Sequence, residues 1–312
     1  MKLDHIIGNE HVKEYMKQAA AHNKVSHAYI IEGEKGSGKK LIAESFVSLL
    51  GVGIPDVIRV THQKPNIISV DEVREQIVNT IEIKPYKYDY KIYLIDEAEK
   101  MGLQAQNAIL KTVEEPPPYG ILFFLTTSRG ALLDTIISRC VTLQTKPVHD
   151  RDLIRFLADT CQISEEEARF AAGYAMGNIG KAKQVVNSES FQEMKEDVWS
   201  VLRGMDERSV YEIIEEIKKL GKYKDQLDEF MDLIMLWYRD LLLVISGLSS
   251  RIVLSGEYEH LLRQSRKISS LSVNMVFDRI QLMRKRHKAN VNFEASLELM
   301  FVQMNKDFYE KF

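Results

Sequence analysis

The most constraining stretch of this sequence is residues 27–50. A short apolar run, His27-Ala28-Tyr29-Ile30-Ile31, empties into the glycine-rich loop Gly33-Glu34-Lys35-Gly36-Ser37-Gly38-Lys39. The loop leads into an amphipathic segment with Ile42, Phe46, Leu49 and Leu50 at helical spacing. Strand, glycine loop and helix in that order commit the chain to an α/β unit. Glycines there let successive backbone N–H groups converge on one point at a helix N-terminus.

The rest of the first half agrees. Lys91-Ile92-Tyr93-Leu94-Ile95 and Ile121-Leu122-Phe123-Phe124-Leu125 are near-continuous apolar runs, as in central strands covered on both faces. Asp56–Val60 and Cys140–Leu143 are weaker strand candidates, and Val70–Ile81 reads as a helix. Strands alternating with helices imply right-handed crossovers and a parallel sheet. After Pro147 no strand alternation is visible. Helical patterns run to Phe312, broken near Gly173, Gly177–Gly180, Gly204, Gly221 and Gly247–Ser250.

The loop has the form of a Walker A motif, in which Gly33, Gly36, Ser37 and Gly38 cradle phosphate and Lys39 adds a point charge. A plain glycine turn is the bland alternative. The motif should close on Ser or Thr, whose hydroxyl holds Mg²⁺, but the closing residue is Lys40. An ammonium cannot ligate a metal and repels one, so Mg²⁺ is not expected here. Ile92–Ile95 followed by Asp96 and Glu97 has the Walker B form, in which Asp holds the ion and Glu orients a water. Thr126 and Thr127, at the end of the next apolar run, are candidates to sense a terminal phosphate.

Composition excludes several function classes. A net charge of −3 gives no global attraction to nucleic acid or to a membrane surface. Two cysteines, Cys140 and Cys161, in no CxxC pattern fit a reducing cytosol and build neither a disulfide framework nor a zinc site. His5, His11, His22, His27 and His62 have no metal-ligand spacing. Residues 1–5 do not open a secretory signal, and the apolar cluster at Leu241–Ile245 is too short to span a bilayer. A cytoplasmic protein is expected.

Three strings carry a family resemblance: Ser26-His27-Ala28-Tyr29, Asn107-Ala108-Ile109-Leu110-Lys111-Thr112-Val113-Glu114-Glu115-Pro116-Pro117, and Leu133-Asp134-Thr135-Ile136-Ile137-Ser138-Arg139-Cys140. With Ile6-Ile7-Gly8-Asn9-Glu10, Trp237-Tyr238-Arg239-Asp240 and Asn290-Val291-Asn292, the whole chain resembles the AAA+ clamp-loader subunits of bacterial DNA polymerase III. The resemblance implies a RecA-like AAA+ parallel sheet over 1–146, a helical lid over 147–204 and a helical collar over 205–312. It also implies gamma/tau and delta subunits as partners, with the sliding clamp and primer-template DNA reached through the assembly.

Within that family the chain looks like the delta-prime type. Motor subunits close Walker A with Thr and carry a sensor arginine in the lid. Here Lys40 stands at the first place, and Gly177-Asn178-Ile179-Gly180-Lys181 puts Gly180 at the second. Ser138-Arg139-Cys140 is intact, so Arg139 is expected to act as an arginine finger in a neighbour's site. The short C-terminal region is read the same way. ATP or ADP could bind, with little or no turnover by the chain alone. The family's four-cysteine zinc module is missing, because Gly51-Val52-Gly53-Ile54-Pro55 leads straight to Asp56; no zinc is expected.

Two further expectations concern the C-terminal part. Arg263–Lys267 and Arg284–Lys288 read first as solvated helix faces, then as subunit contacts, and least as DNA contacts. Leu233, Leu236, Trp237, Leu241 and Met300 offer more apolar surface than one core needs, as an assembling collar would. The rival readings are an autonomous AAA+ ATPase, either a gamma-type motor or another remodeller, and a P-loop nucleotide kinase. Lys40 and Gly180 count against the first, and the helical second half against the second.

Overall fold

The computed structural model describes Leu3 and residues 6–308, so His5 lies outside the described residues. The chain forms two compact units. One holds the described residues up to Gln162 together with Ala175–Ala182; the other holds Ile163–Tyr174 and the described residues from Lys183 onward.

The first unit is built on five parallel strands, β1 (Ala28–Glu32), β2 (Val57–Arg59), β3 (Lys91–Ile95), β4 (Gly120–Thr126) and β5 (Val141–Gln144), in the order β2-β3-β4-β1-β5. The longest apolar runs occupy the middle: every residue of β3 and β4 is buried. Period two sends alternate side chains to opposite faces. Tyr29, Ile31, Ile92, Leu94, Phe123 and Leu125 face a core with helices α1 (Glu10–Ala21) and α2 (Lys39–Leu49). Ala28, Ile30, Tyr93, Ile95, Leu122 and Phe124 face a second core with the helical stretch 70–81 and α3 (Leu103–Glu114). The register sets Tyr29 opposite Phe123, where the rings stack at 5.0 Å, and Phe46 of α2 meets both edge-on. Burying each such ring contributes about 2–3 kcal/mol, which fixes α2, and therefore the loop before it, against the sheet.

The helix expected over Val70–Ile81 forms, but not as one regular α-helix. Its ends, Val70–Val73 and Asn79–Ile81, are α-helical, and Arg74–Val78 between them is a π segment. Leu49, placed on the apolar face of α2 by spacing, is 45% exposed. The short helix α4 (Asp134–Ile137) and then α5 (Asp150–Cys161) flank β5 in the chain.

Just after the Gly51–Pro55 turn, a carboxylate ties two distant stretches of the chain together. Asp56 is 2% exposed and accepts backbone N–H bonds from Tyr86 (2.6 Å), Lys87 (2.7 Å) and Tyr88 (3.0 Å). Burial pushes its carboxyl up, but the three N–H groups and nearby Lys91 more than offset this and hold it below the usual range. Cys140 is remote from such chemistry: burial pushes its thiol up to about 12.

After α6 (Glu165–Ala175) and α7 (Ile179–Asn187), the second unit runs through α8 (Glu189–Arg203), α9 (Val210–Lys218), α10 (Leu227–Ile245), α11 (Tyr258–Ser265), α12 (Ser270–Lys288) and α13 (Phe293–Lys306). It has no strand among the described residues. The 19-residue α10 is its axis. Trp237 donates to Gln264 Oε1 at 2.9 Å and lies 5.4 Å from the Trp199 ring. Asp240, fully buried, accepts the N–H groups of Val253 and Leu254, each at 2.7 Å.

Two C-terminal expectations change here. Leu233, Leu236, Trp237, Leu241 and Met300 are all buried in this unit's own core. The large apolar side chains left outside include Tyr211, Leu271, Leu282, Val291 and Leu299. Nor are the basic clusters simply solvated. Arg263 and Lys267 pair with buried Asp206 at 3.1 and 2.8 Å, and Arg284 reaches Asp232 at 2.6 Å. Among the described residues no helix is long and apolar enough to cross a membrane.

Candidate functional site

β1 and α2 hold the glycine loop between them at the carboxyl ends of the strands. Each glycine discussed here has a local cause in space or backbone sign. A Cβ on Gly33 would lie 1.8 Å from Thr145 Oγ1, so only glycine fits against β5 there. Gly36 and Gly38 have φ of +86° and +89°, the left-handed region that L side chains avoid. Ser37 accepts a hydrogen bond from Thr145 Oγ1 at 3.0 Å. α2 starts at Gly38 without a side-chain cap, so its first N–H groups have no intrahelical acceptor.

An open cavity of about 440 Å³ lies against this loop, lined by Lys35, Gly36, Gly38, Lys39, Lys40, Leu41, Glu44, Asp96, Glu97, Glu99 and Thr127. The structure therefore brings Gly36, Gly38, Lys39 and Lys40, the pair Asp96 and Glu97, and Thr127 to one cavity, while Gly33, Ser37 and Thr126 do not line it. Lys39 is 9% exposed, and its ammonium donates to the carbonyls of Gly33 (2.7 Å) and Glu34 (2.9 Å). Burial pulls its pKa below the usual lysine range, against the opposing pull of Glu99, Asp96, Glu97 and Glu34. Lys40 Nζ stands 3.6 Å from Asp96 Oδ2. Glu97, at φ +52°, pairs with Lys100 at 2.5 Å.

The two threonines differ. Thr127 Oγ1 donates to Glu99 Oε1 at 2.7 Å on the cavity wall. Thr126 is fully buried, and its hydroxyl is engaged in the turn at Ser128, donating to the carbonyl at 3.0 Å and accepting the N–H at 3.1 Å. Glu99 is the residue that sequence reasoning passed over. It is a third carboxylate just after Asp96-Glu97, brought round by the single 3-10 turn Ala98–Lys100. Burial pushes its carboxyl up, but the hydrogen bonds from Thr127 and Thr126 outweigh that and hold it low.

The Gly177–Lys181 string meets the other side of the loop. Asn178, 8% exposed, accepts the Lys181 N–H at 3.1 Å as an N-cap of α7 and donates from Nδ2 to the Lys35 carbonyl at 2.8 Å. The Gly180 N–H donates to the Gly36 carbonyl at 2.9 Å, and a Cβ at 180 would sit 2.6 Å from Gly36 Cα. An arginine does not fit at 180 in this arrangement. Asn178→Asp keeps the cap acceptor but replaces the donor to Lys35 with a charge facing Glu34. It is expected to lower stability by about 1–3 kcal/mol, read as a fall in Tm; a Tm equal to wild type would show that the Lys35 contact carries no weight.

Arg139 follows α4. Its guanidinium donates to the Thr135 carbonyl at 2.9 Å and pairs with Glu114 at 2.9 Å, and its side chain stays 40% exposed. Among the described residues no three His, Cys, Asp or Glu side chains gather as a metal site.

A family described as "DNA polymerase III, delta subunit" matches residues 51–149. The chain is 25% identical to the DNA polymerase III subunit delta' of Bacillus subtilis, over 91% of this chain and 92% of that one. It is 23% identical to the tau subunit of the same organism, over 92% of this chain but only 58% of tau. A gamma subunit-related protein from Thermotoga maritima shares the fold, at 20% identity and a TM-score of 0.52, covering 94% of this chain and 99% of that one.

Proposed function

Since the chain is a AAA+ subunit of the DNA polymerase III clamp-loader kind, we propose that it serves as a delta-prime subunit, a non-motor member of the loader. In this reading it assembles with gamma/tau and delta in the cytoplasm, and the complex uses ATP to place the sliding clamp on primer-template DNA. The sheet domain (1–146) and lid (147–204) give rigidity, the collar (205–312) assembles, and Arg139 is donated to a neighbour's ATP site. The observation that carries it is the double loss at the chain's own site: Lys40 is paired with Asp96, and the Gly180 backbone lies against Gly36 where a sensor side chain would stand. Both alterations oppose hydrolysis here, while the exposed guanidinium of Arg139 remains free to be re-paired by a stronger anion.

Magnesium, implied by the AAA+ fold, does not fit the donor set, because position 40 supplies an ammonium and Asp96 already faces it. The purified chain with Mg-ATP is therefore expected to turn over at background, measured by phosphate release. Robust Mg-dependent hydrolysis abolished by Lys39→Ala would instead make the chain an autonomous ATPase.

A further inference from the structure

The misfit of Mg²⁺ has a positive side. In a metal-dependent P-loop the ion stands between the closing hydroxyl of the loop and the Walker B carboxylate, and bridges both to phosphate. Here the Lys40 ammonium faces that carboxylate at 3.6 Å, inside the lining of the same cavity. It carries one positive charge and three donors that never leave the chain. The neighbouring carboxylates are partly engaged, Glu97 by Lys100 and Glu99 through Oε1 by Thr127, while Glu99 Oε2 is buried without a partner.

The phosphate side of the site is intact. The uncapped start of α2 presents N–H groups to the cavity wall, and the carbonyls of Lys35 and Gly36 are turned to Asn178 and Gly180. Lys39, now bonded to the Gly33 and Glu34 carbonyls, already lines the cavity. Three lysines, Lys35, Lys39 and Lys40, line the volume on the loop side, with Glu44, Asp96, Glu97 and Glu99 also on its wall.

We infer that this pocket takes the diphosphate or triphosphate of a nucleotide without a divalent cation, the Lys40 ammonium standing in the ion's place. The inference rests on the P-loop reading above and deepens it. The ligand is held rather than cleaved, since no ion is there to neutralise charge on a leaving phosphate.

Titration calorimetry on the full chain tests it, with ADP and with inorganic pyrophosphate as probes, each in EDTA and in excess Mg²⁺. Binding in EDTA is expected, unchanged or weakened by Mg²⁺, which competes for the same phosphate oxygens. Equal behaviour of pyrophosphate and ADP would place recognition on the phosphates; ADP alone binding would add the nucleoside. Lys40→Met is expected to bind about tenfold more weakly or worse, and Lys40→Thr to bind only when Mg²⁺ is added. Wild-type binding that requires Mg²⁺, no binding in either buffer, or a Lys40→Thr variant with the wild-type response overturns the inference. Assembly of the Lys40→Met chain with gamma/tau and delta, measured by gel filtration, tests the subunit reading separately: failure of wild type to assemble sinks that reading and leaves the titration standing.

Discussion

Arg139→Ala is expected to abolish most ATP hydrolysis at one neighbouring site of the reconstituted loader while leaving this chain folded and assembled. Arginine fingers accelerate phosphoryl transfer by roughly 10³–10⁵ fold through charge on the transferring phosphate, and a loss of that order is expected at the site served. The cost to the fold is small, because the contacts broken are a partly exposed pair with Glu114 and a bond to the Thr135 carbonyl. Such pairs contribute about 0–1 kcal/mol. In the proposed role, this Glu114 contact would be exchanged for phosphate on assembly. Arg139→Lys should recover little, since an ammonium lacks the planar fork that bridges two oxygens. Clamp- and DNA-stimulated ATPase, normalised to assembled complex, is the measurement. Poor assembly with normal hydrolysis per complex would make Arg139 a structural residue.

Asp56→Ala is expected to be the most destabilising substitution on the surface-loop side of the first unit. It strands three backbone N–H groups, of Tyr86, Lys87 and Tyr88, and removes the nearby negative charge that favours the buried Lys91 ammonium. Removing one member of a buried charged network costs about 3–5 kcal/mol, enough to lower Tm by several degrees or more. The sign with pH follows from the carboxyl being held low in the folded state. Its stabilisation is present at neutral pH, above the unfolded carboxylate range of about 4, and is lost as pH falls through the folded value. Wild type and Asp56→Ala should therefore differ most at neutral pH and converge in acid. A difference that is constant from neutral to acid pH would show that the N–H bonds, not the charge, are what matter.

The first unit was legible because its signals are local. Ile92–Ile95 and Ile121–Leu125 had to be central strands, since runs without a polar face need cover on both sides, and they are the fully buried β3 and β4. Gly33, Gly36, Gly38 and Lys39 marked a strand-to-helix loop, which lies between β1 and α2, because glycine spacing and a following helix are properties of neighbouring residues. Lys40 and Gly180 were visible as departures for the same reason.

What the sequence left open depends on distant residues meeting. Arg263–Lys267 looks like a solvated basic face until Asp206 is brought beneath it. Leu233, Trp237 and Leu241 look like spare apolar surface until α10 is enclosed by its own unit, because hydrophobicity records that a side chain must be covered and not by what. Thr126 and Thr127 are adjacent and chemically alike, yet strand alternation buries one and aims the other at Glu99. So the chain's own residues fixed the sheet, the loop and the missing hydroxyl. Only tertiary packing decided that Lys40 faces Asp96, that Asn178 and Gly180 close on Lys35 and Gly36, and that Asp56 gathers the N–H groups of Tyr86, Lys87 and Tyr88, since each joins groups that no local period or spacing relates.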